Sequence, residues 1–300
     1  MSLKMAGMAR VVRRKSGLQF RSAGDMKPPS WAVSSVGSRF YDGGLAGEGD
    51  PDLLDLDAAR GARAVEGAGG QLVVLDAGTG IRALGLELVA KQNGAAKVEI
   101  LLSHAHWDHI QGLPHFKPFF APGNSVRIWG SRQGTTSLEA ILRQQMDPAV
   151  FPVPLDALSA QLTVQQVDTA EFSIGEFRVR TMRLRHPGTT LGFRLTPAKG
   201  GPAMAYVTDN ELGSGGEYEV DRNWRRDFIA FLKDVDLLIH HAMYTPDELE
   251  EHRGWGHSTY EEAVTLAQDA GVKKLVLFHH EPEHDDKEMD ALVAAARKFA

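Results

Sequence analysis

The fold is decided by the stretch His104-Ala105-His106-Trp107-Asp108-His109. It follows the apolar segment 98–102, which the sequence predicts to be a buried strand. In α/β proteins the loops that follow strands commonly carry the chemistry. Side chains alternate along an extended segment, so His104 and His106 project the same way, and Asp108 and His109 follow after a bend. The stretch therefore predicts a cavity lined by imidazole and carboxylate groups.

Imidazole and carboxylate ligands suit zinc, manganese or iron, and pairs of such metals about 3.5 to 4 Å apart recur in hydrolytic sites. The chain has 12 histidines in 300 residues. At that frequency, the pattern His-x-His-x-Asp-His arises by chance in roughly one such chain in a thousand. The alternative is a solvated histidine-rich loop, which would have no reason to gather ligands at the end of a strand. The pattern predicts a metal-dependent hydrolase.

Composition narrows the class of protein and of site. The chain contains no cysteine, which excludes disulfides and thiolate ligands and leaves a site of nitrogen and oxygen ligands. The formal charge of −6 gives no general attraction to a polyanion, so we do not expect a nucleic-acid partner. The basic segment 1–21 lacks the apolar stretch of a secretory signal, and we expect a cytoplasmic protein without a membrane span.

The chain divides into a short irregular part and one large domain. Residues 1–70 are rich in glycine, serine, proline and charge, and we expect an irregular N-terminal segment with a short strand near 18–20. Residues 71–300 alternate predicted strands and helices, which is typical of an α/β domain.

Three further residues follow predicted strands: His186 in Arg-His-Pro-Gly, Asp209 in Thr-Asp-Asn, and His279 in Leu-Phe-His-His. Together with the stretch 104–109, they resemble the metallo-β-lactamase fold superfamily of metal-dependent hydrolases over about residues 71 to 285. The resemblance implies an α/β fold arranged as a four-layer αβ/βα sandwich.

The resemblance also implies a ligand set for two divalent ions, with zinc favoured and manganese or iron as alternatives. The first ion would be held by His104, His106 and His186, the second by Asp108, His109 and His279, and both by Asp209. The two ions would lower the pKa of a shared water molecule, so that hydroxide exists near neutral pH. Asp108, as a ligand of the second ion, would also count among the catalytic residues.

Two positions around this ligand set have alternative interpretations. His280 is the alternative to His279, although strand alternation would direct it to the opposite side. Asp76, at the end of a predicted strand, either orients a ligand imidazole or caps a turn.

A second motif, Gly254-Trp255-Gly256-His257-Ser258-Thr259, indicates which branch of this superfamily the chain resembles. It resembles the Gly-His-Ser-Thr element of tRNA 3′-processing endonucleases and related phosphodiesterases, which implies that His257 is a general acid or an oxyanion stabiliser. Alternatively, Ser258 or Thr259 caps the next helix and His257 is a loop residue. Members of this branch are often dimers, so the resemblance also implies a homodimer.

Upstream, residues 237–244 resemble the neighbouring His-Glu-Ala-Thr element, in which an acid supports the catalytic histidine. Here His241 stands where the acid would be, and an imidazole cannot raise the basicity of His257 as a carboxylate would. We therefore expect His240 and His241 to contact substrate, and we expect the same of Tyr244.

These features favour a dinuclear phosphodiesterase that uses metal-bound hydroxide on a small phosphodiester or a cyclic nucleotide. One alternative is a lactone or thioester hydrolase, in which Tyr244 or Tyr206 would polarise the substrate carbonyl. Another is a catalytically inactive metal-binding domain, which the altered position at His241 suggests.

Overall fold

The computed structural model describes residues 32–35, 63–66, 72–92, 96–213 and 216–300. The strand expected near 18–20 lies outside these residues. Two strands inside the segment 1–70 were not expected from the sequence, and both extend the first of two sheets.

The first sheet has six strands in chain order: β1 (Ala32–Ser35), β2 (Arg63–Glu66), β3 (Leu72–Leu75), β4 (Lys97–Leu101), β5 (Ser125–Gly130) and β6 (Gln161–Gln166). The strands β1 to β3 pair antiparallel, and β3 to β6 pair parallel.

The second sheet also has six strands: β7 (Glu171–Ile174), β8 (Phe177–Arg183), β9 (Leu191–Pro197), β10 (Met204–Val207), β11 (Leu237–His241) and β12 (Leu275–Phe278). The strands β7 to β10 pair antiparallel, and β10 to β12 pair parallel.

The α-helices among the described residues are α1 (Ile81–Gln92), α2 (Trp107–Ile110), α3 (Leu138–Gln145), α4 (Trp224–Leu232), α5 (Pro246–His252), α6 (Tyr260–Asp269) and α7 (Asp286–Phe299). None of the helices within the described ranges is long and apolar enough to cross a membrane.

Strand alternation sorts the apolar side chains into layers. Val73 and Leu75 of β3 pack between the sheets against Phe193 and Ile239 of the second sheet. The intervening Val74 points outward, into a cluster that includes residues of α1 and α3. On the far side, alternate residues of β10 and β11 pack against α4 and α6. Helices therefore cover both outer faces, and the predicted four-layer α/β sandwich is confirmed.

The carboxyl ends of the parallel strands deliver the polar residues. Asp76 follows β3, the stretch 104–109 follows β4, Asp209 follows β10 and His279 follows β12. The helix α2 is held against the turn after β3, because the Ala77 amide donates to the His109 carbonyl at 2.8 Å. The backbone at Gly112 also packs directly against this turn. A Cβ added at Gly112 would lie 2.1 Å from the Gly78 carbonyl oxygen, which leaves no room for a side chain.

Candidate metal centre

All seven residues that the resemblance assigns to metals lie together. Their ligand atoms form two groups, within each of which every atom lies within 4.8 Å of the others, and Asp209 belongs to both. The first ligand group is His104, His106, His186 and Asp209, and the second ligand group is Asp108, His109, Asp209 and His279.

Distances in the first ligand group suit a small divalent ion. His186 Nε2 is 3.0 Å from His106 Nδ1. The Nε2 atoms of His104 and His186 are 3.6 and 3.5 Å from Asp209 Oδ2. Ligand atoms about 2.0 to 2.1 Å from zinc lie about 3.3 to 3.4 Å apart at tetrahedral corners. The group already has nearly that spacing.

The second ligand group has similar spacing around Asp108. Its Oδ2 is 3.0 Å from His109 Nε2 and 3.1 Å from His279 Nε2. His279 Nε2 is 3.3 Å from Asp209 Oδ1, whereas His109 Nε2 is 3.5 Å from Asp209 Oδ2. Asp209 thus offers an oxygen to each side of the centre.

The buried ring nitrogens also fit bound cations. Within the described residues, the buried Nε2 atom of His104 makes no hydrogen bond, and the buried Nε2 atom of His109 lies beside the carboxylates of Asp108 and Asp209, at 3.0 and 3.5 Å. Buried polar atoms without partners are unfavourable, and a cation bound between these nitrogens and Asp209 would satisfy them. The donor set of imidazole and carboxylate fits zinc, manganese or iron.

The electrostatics of the metal-free site divide the ligands into two classes. Burial lowers the pKa of His104 and of His186, so both rings are neutral and able to bind a metal. Burial also disfavours the charged form of His109, but the charges of Asp209 and Asp76 outweigh it and raise the His109 pKa. Burial would raise the Asp209 pKa, but His279 and His109 hold it well below its ordinary range. A metal must therefore displace a proton from His109.

Asp76 orients two of the ligands from behind. Its fully buried carboxylate accepts hydrogen bonds from the Ser103 amide at 2.7 Å, the Ser103 hydroxyl at 2.9 Å and the Tyr206 hydroxyl at 2.7 Å. Its Oδ2 is also 2.8 Å from His109 Nδ1, and Ser103 Oγ is 3.0 Å from His104 Nδ1. These contacts turn Nε2 of both imidazoles towards the centre. The Tyr206 hydroxyl is engaged with Asp76, behind the ligands.

A left-handed backbone residue places the last ligand. His279 has φ of 59° directly after β12, and its ring is stacked on that of His109 with centroids 5.3 Å apart. His280 instead places Nδ1 3.2 Å from the Ala242 carbonyl oxygen and belongs to neither ligand group.

The Gly-His-Ser-Thr motif combines a helix cap with a site residue. Thr259 caps α6 through a capping box with Glu262. His257 stacks on His241 with ring centroids 4.7 Å apart, and it forms a further cluster of ligand atoms with Asp209, His241 and His279. The two interpretations of this motif are thus compatible.

The two histidines of β11 face opposite ways. His240 is fully buried on the outward face that also carries Leu238, and its Nδ1 is 2.6 Å from the His241 carbonyl oxygen. It lies outside the ligand groups, so its position does not support the expected substrate contact. His241 points inward, with Nδ1 3.5 Å from Asp209 Oδ1 and Nε2 3.2 Å from His257 Nδ1.

Tyr244 is only 2% exposed and lies edge-on to His257, with ring centroids 5.8 Å apart. Its burial, together with the nearby carboxylates Glu281 and Glu248, raises its pKa to about 12. The side chain contacts the catalytic motif from the protein interior.

Glu211 is a site residue that the sequence analysis missed. Its carboxylate is 1% exposed and accepts hydrogen bonds from the amides of Gly254 at 2.9 Å and Gly256 at 3.2 Å. It also accepts from the Gly216 amide at 3.0 Å and the Tyr218 hydroxyl at 2.5 Å. The Gly256 carbonyl oxygen in turn lies 3.0 Å from His186 Nδ1. Glu211 thus ties the loop that carries His257 to a metal-ligand histidine, and its position two residues after Asp209 was the available signal.

Comparison with known proteins decides the family. Residues 71–280 match the family described as the beta-lactamase superfamily domain. The chain belongs to this family. The protein is therefore a metal-dependent hydrolase of the metallo-β-lactamase fold, as the sequence predicts.

One relative is the ribonuclease Z of Oceanobacillus iheyensis, which is 25% identical to this chain over 241 residues. The match covers 67% of this chain and 76% of the relative. The short form of human tRNase Z shares the fold with a TM-score of 0.56 and 20% identity, covering 83% of this chain and 92% of that one. Unliganded yeast PDE1 shares it with a TM-score of 0.58 and 12% identity, covering 91% of this chain and 95% of that one.

Proposed function

We propose that this protein is a phosphodiesterase that cleaves a small phosphodiester, such as a cyclic nucleotide, with two divalent ions held by the two ligand groups. The observation that carries this proposal is the position of His257, which lies against the ligand cluster in a Gly-His-Ser-Thr motif. The seven ligands would hold zinc, manganese or iron. Bound there, the ions would lower the pKa of water and neutralise charge on a phosphate.

His257 is proposed to act as a neutral hydrogen-bond donor. Burial lowers its pKa to about 4, so the ring carries no charge at neutral pH. Its Nδ1 is engaged with His241, which leaves Nε2 to face a substrate. A donor aimed at a phosphate oxygen or a leaving group stabilises the negative charge that builds up during cleavage. Of the two roles expected for His257, the neutral ring favours this one.

Two exposed indoles beside the site support a substrate with an aromatic base. Trp107 lies between the ligands His106 and Asp108 and is 63% exposed, and Trp255 lies two residues before His257 and is 58% exposed. Exposed tryptophans commonly stack on bases, which stabilises binding by about 1–3 kcal/mol per base.

The test compares substrate classes on one preparation loaded with zinc or manganese. We expect hydrolysis of bis-p-nitrophenyl phosphate and of a nucleoside cyclic phosphate, but not of a lactone or a thioester. The engagement of the Tyr206 hydroxyl by Asp76 leaves it without a carbonyl-polarising role. Turnover of the lactone without the phosphodiesters would contradict the proposal.

Replacing His257 tests its catalytic role. Because one donor that stabilises developing negative charge contributes about 10²- to 10³-fold, His257→Ala should lower kcat by at least about 100-fold and leave the metal content unchanged. Metal analysis of the same preparation is the control. Loss of an ion from this variant would make His257 a ligand.

A second candidate substrate is RNA, which the relationship to ribonuclease Z favours. The expectation of no nucleic-acid partner rested in part on net charge, and this relationship weighs against it. Comparing kcat/KM for a short RNA with that for a nucleoside cyclic phosphate separates the two candidates. A homodimer and a cytoplasmic location remain predictions.

A further inference from the structure

We infer that His241 is an additional metal ligand, which binds through Nδ1 an ion that Asp209 and His279 also hold. The inference rests on the metal centre of the proposed function. It concerns the residue that stands where the resemblance places an acid.

Two histidine nitrogens lie close to Asp209 Oδ1. His279 Nε2 lies 3.3 Å from that oxygen, and His241 Nδ1 lies 3.5 Å from it. Both separations are close to the roughly 3.3 to 3.4 Å between tetrahedral ligands of zinc. The ligand atoms of Asp209, His241, His257 and His279 also form one cluster within 4.8 Å, which does not include Asp108 or His109. His241 therefore approaches two members of the second ligand group, Asp209 and His279, at ligand spacing.

The surroundings of Nδ1 point to a cation. His241 is fully buried, and within the part of the chain that the structure describes its Nδ1 makes no hydrogen bond. A neutral imidazole has only one N–H group. If Nε2 uses it to bond His257, the lone pair of Nδ1 faces the carboxylate of Asp209 across 3.5 Å. That arrangement is repulsive unless a cation lies between the two atoms.

Metal binding at Nδ1 would also fix the protons on the catalytic histidine. The remaining N–H of His241 would then be on Nε2 and donate to His257 Nδ1, 3.2 Å away. His257 would keep its own proton on Nε2, the atom proposed to face the substrate. An acid at position 241 would instead accept the N–H of His257 Nδ1. With a metal on Nδ1, the histidine would thus reverse the direction of this hydrogen bond and keep His257 a neutral donor.

The two nitrogens can be tested separately by substitution. An asparagine amide places its terminal atoms near the position of Nδ1, whereas a glutamine amide reaches the position of Nε2. We propose measuring zinc affinity by competition with a chromophoric chelator, and the visible absorption of the cobalt-substituted protein, for His241→Ala, His241→Asn and His241→Gln. His257→Ala is the matched control, because it removes the partner of Nε2 and leaves Nδ1 in place.

We expect His241→Ala and His241→Gln to weaken the binding of one ion by at least about 10-fold, the lower end of the effect of altering groups around a metal site. Their cobalt absorption should change, whereas His241→Asn should lose less affinity and His257→Ala should match the wild type. Wild-type affinity and absorption in His241→Gln would overturn the inference. Asp209→Ala in the same assay tests the metal centre itself: if it retains both ions, the proposed centre fails regardless of His241.

Discussion

At the scale of single residues, the centre depends on two side chains held in an uncommon backbone conformation. Asp76 has φ of 57° and His279 has φ of 59°, and both directly follow strands. Non-glycine residues with positive φ are uncommon and cluster at functional sites, where the surrounding structure stabilises them. Asp76 is stabilised by the four polar contacts of its carboxylate.

Replacing Asp76 with asparagine should weaken metal binding. The amide nitrogen of Asp76→Asn would face groups that donate to the carboxylate, including the Tyr206 hydroxyl, so His109 would lose its fixed orientation. We expect a loss of zinc affinity of about 10- to 100-fold, which is typical when a residue that hydrogen-bonds to a metal ligand is replaced. The measurement is a chelator competition.

Tyr206→Phe provides the control, because it removes one donor and leaves the contact between Asp76 and His109. Its loss of affinity should be smaller. Equal losses in the two variants would show that packing, and not ligand orientation, explains the effect.

The sequence predicted the candidate ligands because each lies after a strand, in a pattern typical of metal sites. The structure brings all seven candidates together and places His279, but not His280, within a ligand group. That these residues bind metal stays a prediction. The sequence alone could not show which way the two histidines of β11 point. Alternation along a strand defines two faces but does not say which face lies inside. Glu211 was missed because a carboxylate that accepts backbone amides has no sequence pattern of its own, and only its position two residues after Asp209 pointed to it.

At the scale of elements, the loop before α6 connects the segment after β10 with His186 and His257. Glu211 holds the amides of Gly254 and Gly256, and Ser258 Oγ donates to the Asn210 carbonyl oxygen at 2.5 Å. Gly256 has φ of 88°, and a Cβ added there would lie 2.2 Å from His186 Nδ1. The segment after β10 therefore sets the position of His257 relative to the ligands.

Glu211→Gln should lower kcat through His257. A glutamine amide has one acceptor oxygen in place of two, and its nitrogen would face the amides of the loop, so the loop should shift. We expect a fall in kcat of roughly 10- to 100-fold with little change in metal content. Steady-state kinetics and metal analysis provide the two measurements.

The double variant Glu211→Gln with His257→Ala separates positioning from general destabilisation. If Glu211 acts through His257, the second substitution adds little once His257 is gone. A full multiplicative loss in the double variant would contradict the positioning role, and loss of metal would place the effect on His186.

Besides the two strands in the segment 1–70, the short elements β7, α5 and α2 were absent from the sequence interpretation, and local features explain why. The strand β7 and its turn at Gly175, with φ of 51°, form a hairpin on an edge of the second sheet, where few residues are buried. The helix α5 has a capping box from Thr245 and Glu248, but its exposed acidic sequence has little apolar periodicity. The helix α2 is a single turn within the ligand stretch.

At the scale of the whole molecule, buried histidines make the stability of the metal-free protein depend on pH. Burial lowers the pKa of His240 to about 4 from an ordinary value of 6.5. The unfolded chain therefore binds this proton more readily than the folded protein does. The corresponding stability is fully present above pH 6.5 and is lost as the pH falls towards 4. Depressed pKa values at His104, His186, His241 and His257 act in the same direction.

We therefore expect the Tm of the metal-free protein to fall between pH 7 and pH 5, even though the raised pKa values of His109 and His279 act in the opposite direction. His240→Leu removes one buried imidazole outside the ligand groups, so its Tm should fall less steeply over the same range. Thermal unfolding at several pH values measures both slopes. An unchanged slope in His240→Leu would contradict the role of this residue.

The order of strands along the chain has a consequence for when the protein can become active. The first sheet is complete at Gln166 and the second begins at Glu171, yet each ligand group takes members from both halves. The second ligand group also needs His279, close to the last helix. During synthesis, the emerging first half can offer only part of a coordination shell. A complete ligand group therefore forms only after the two halves have docked, so metal binding by all of its members would require both halves to be folded.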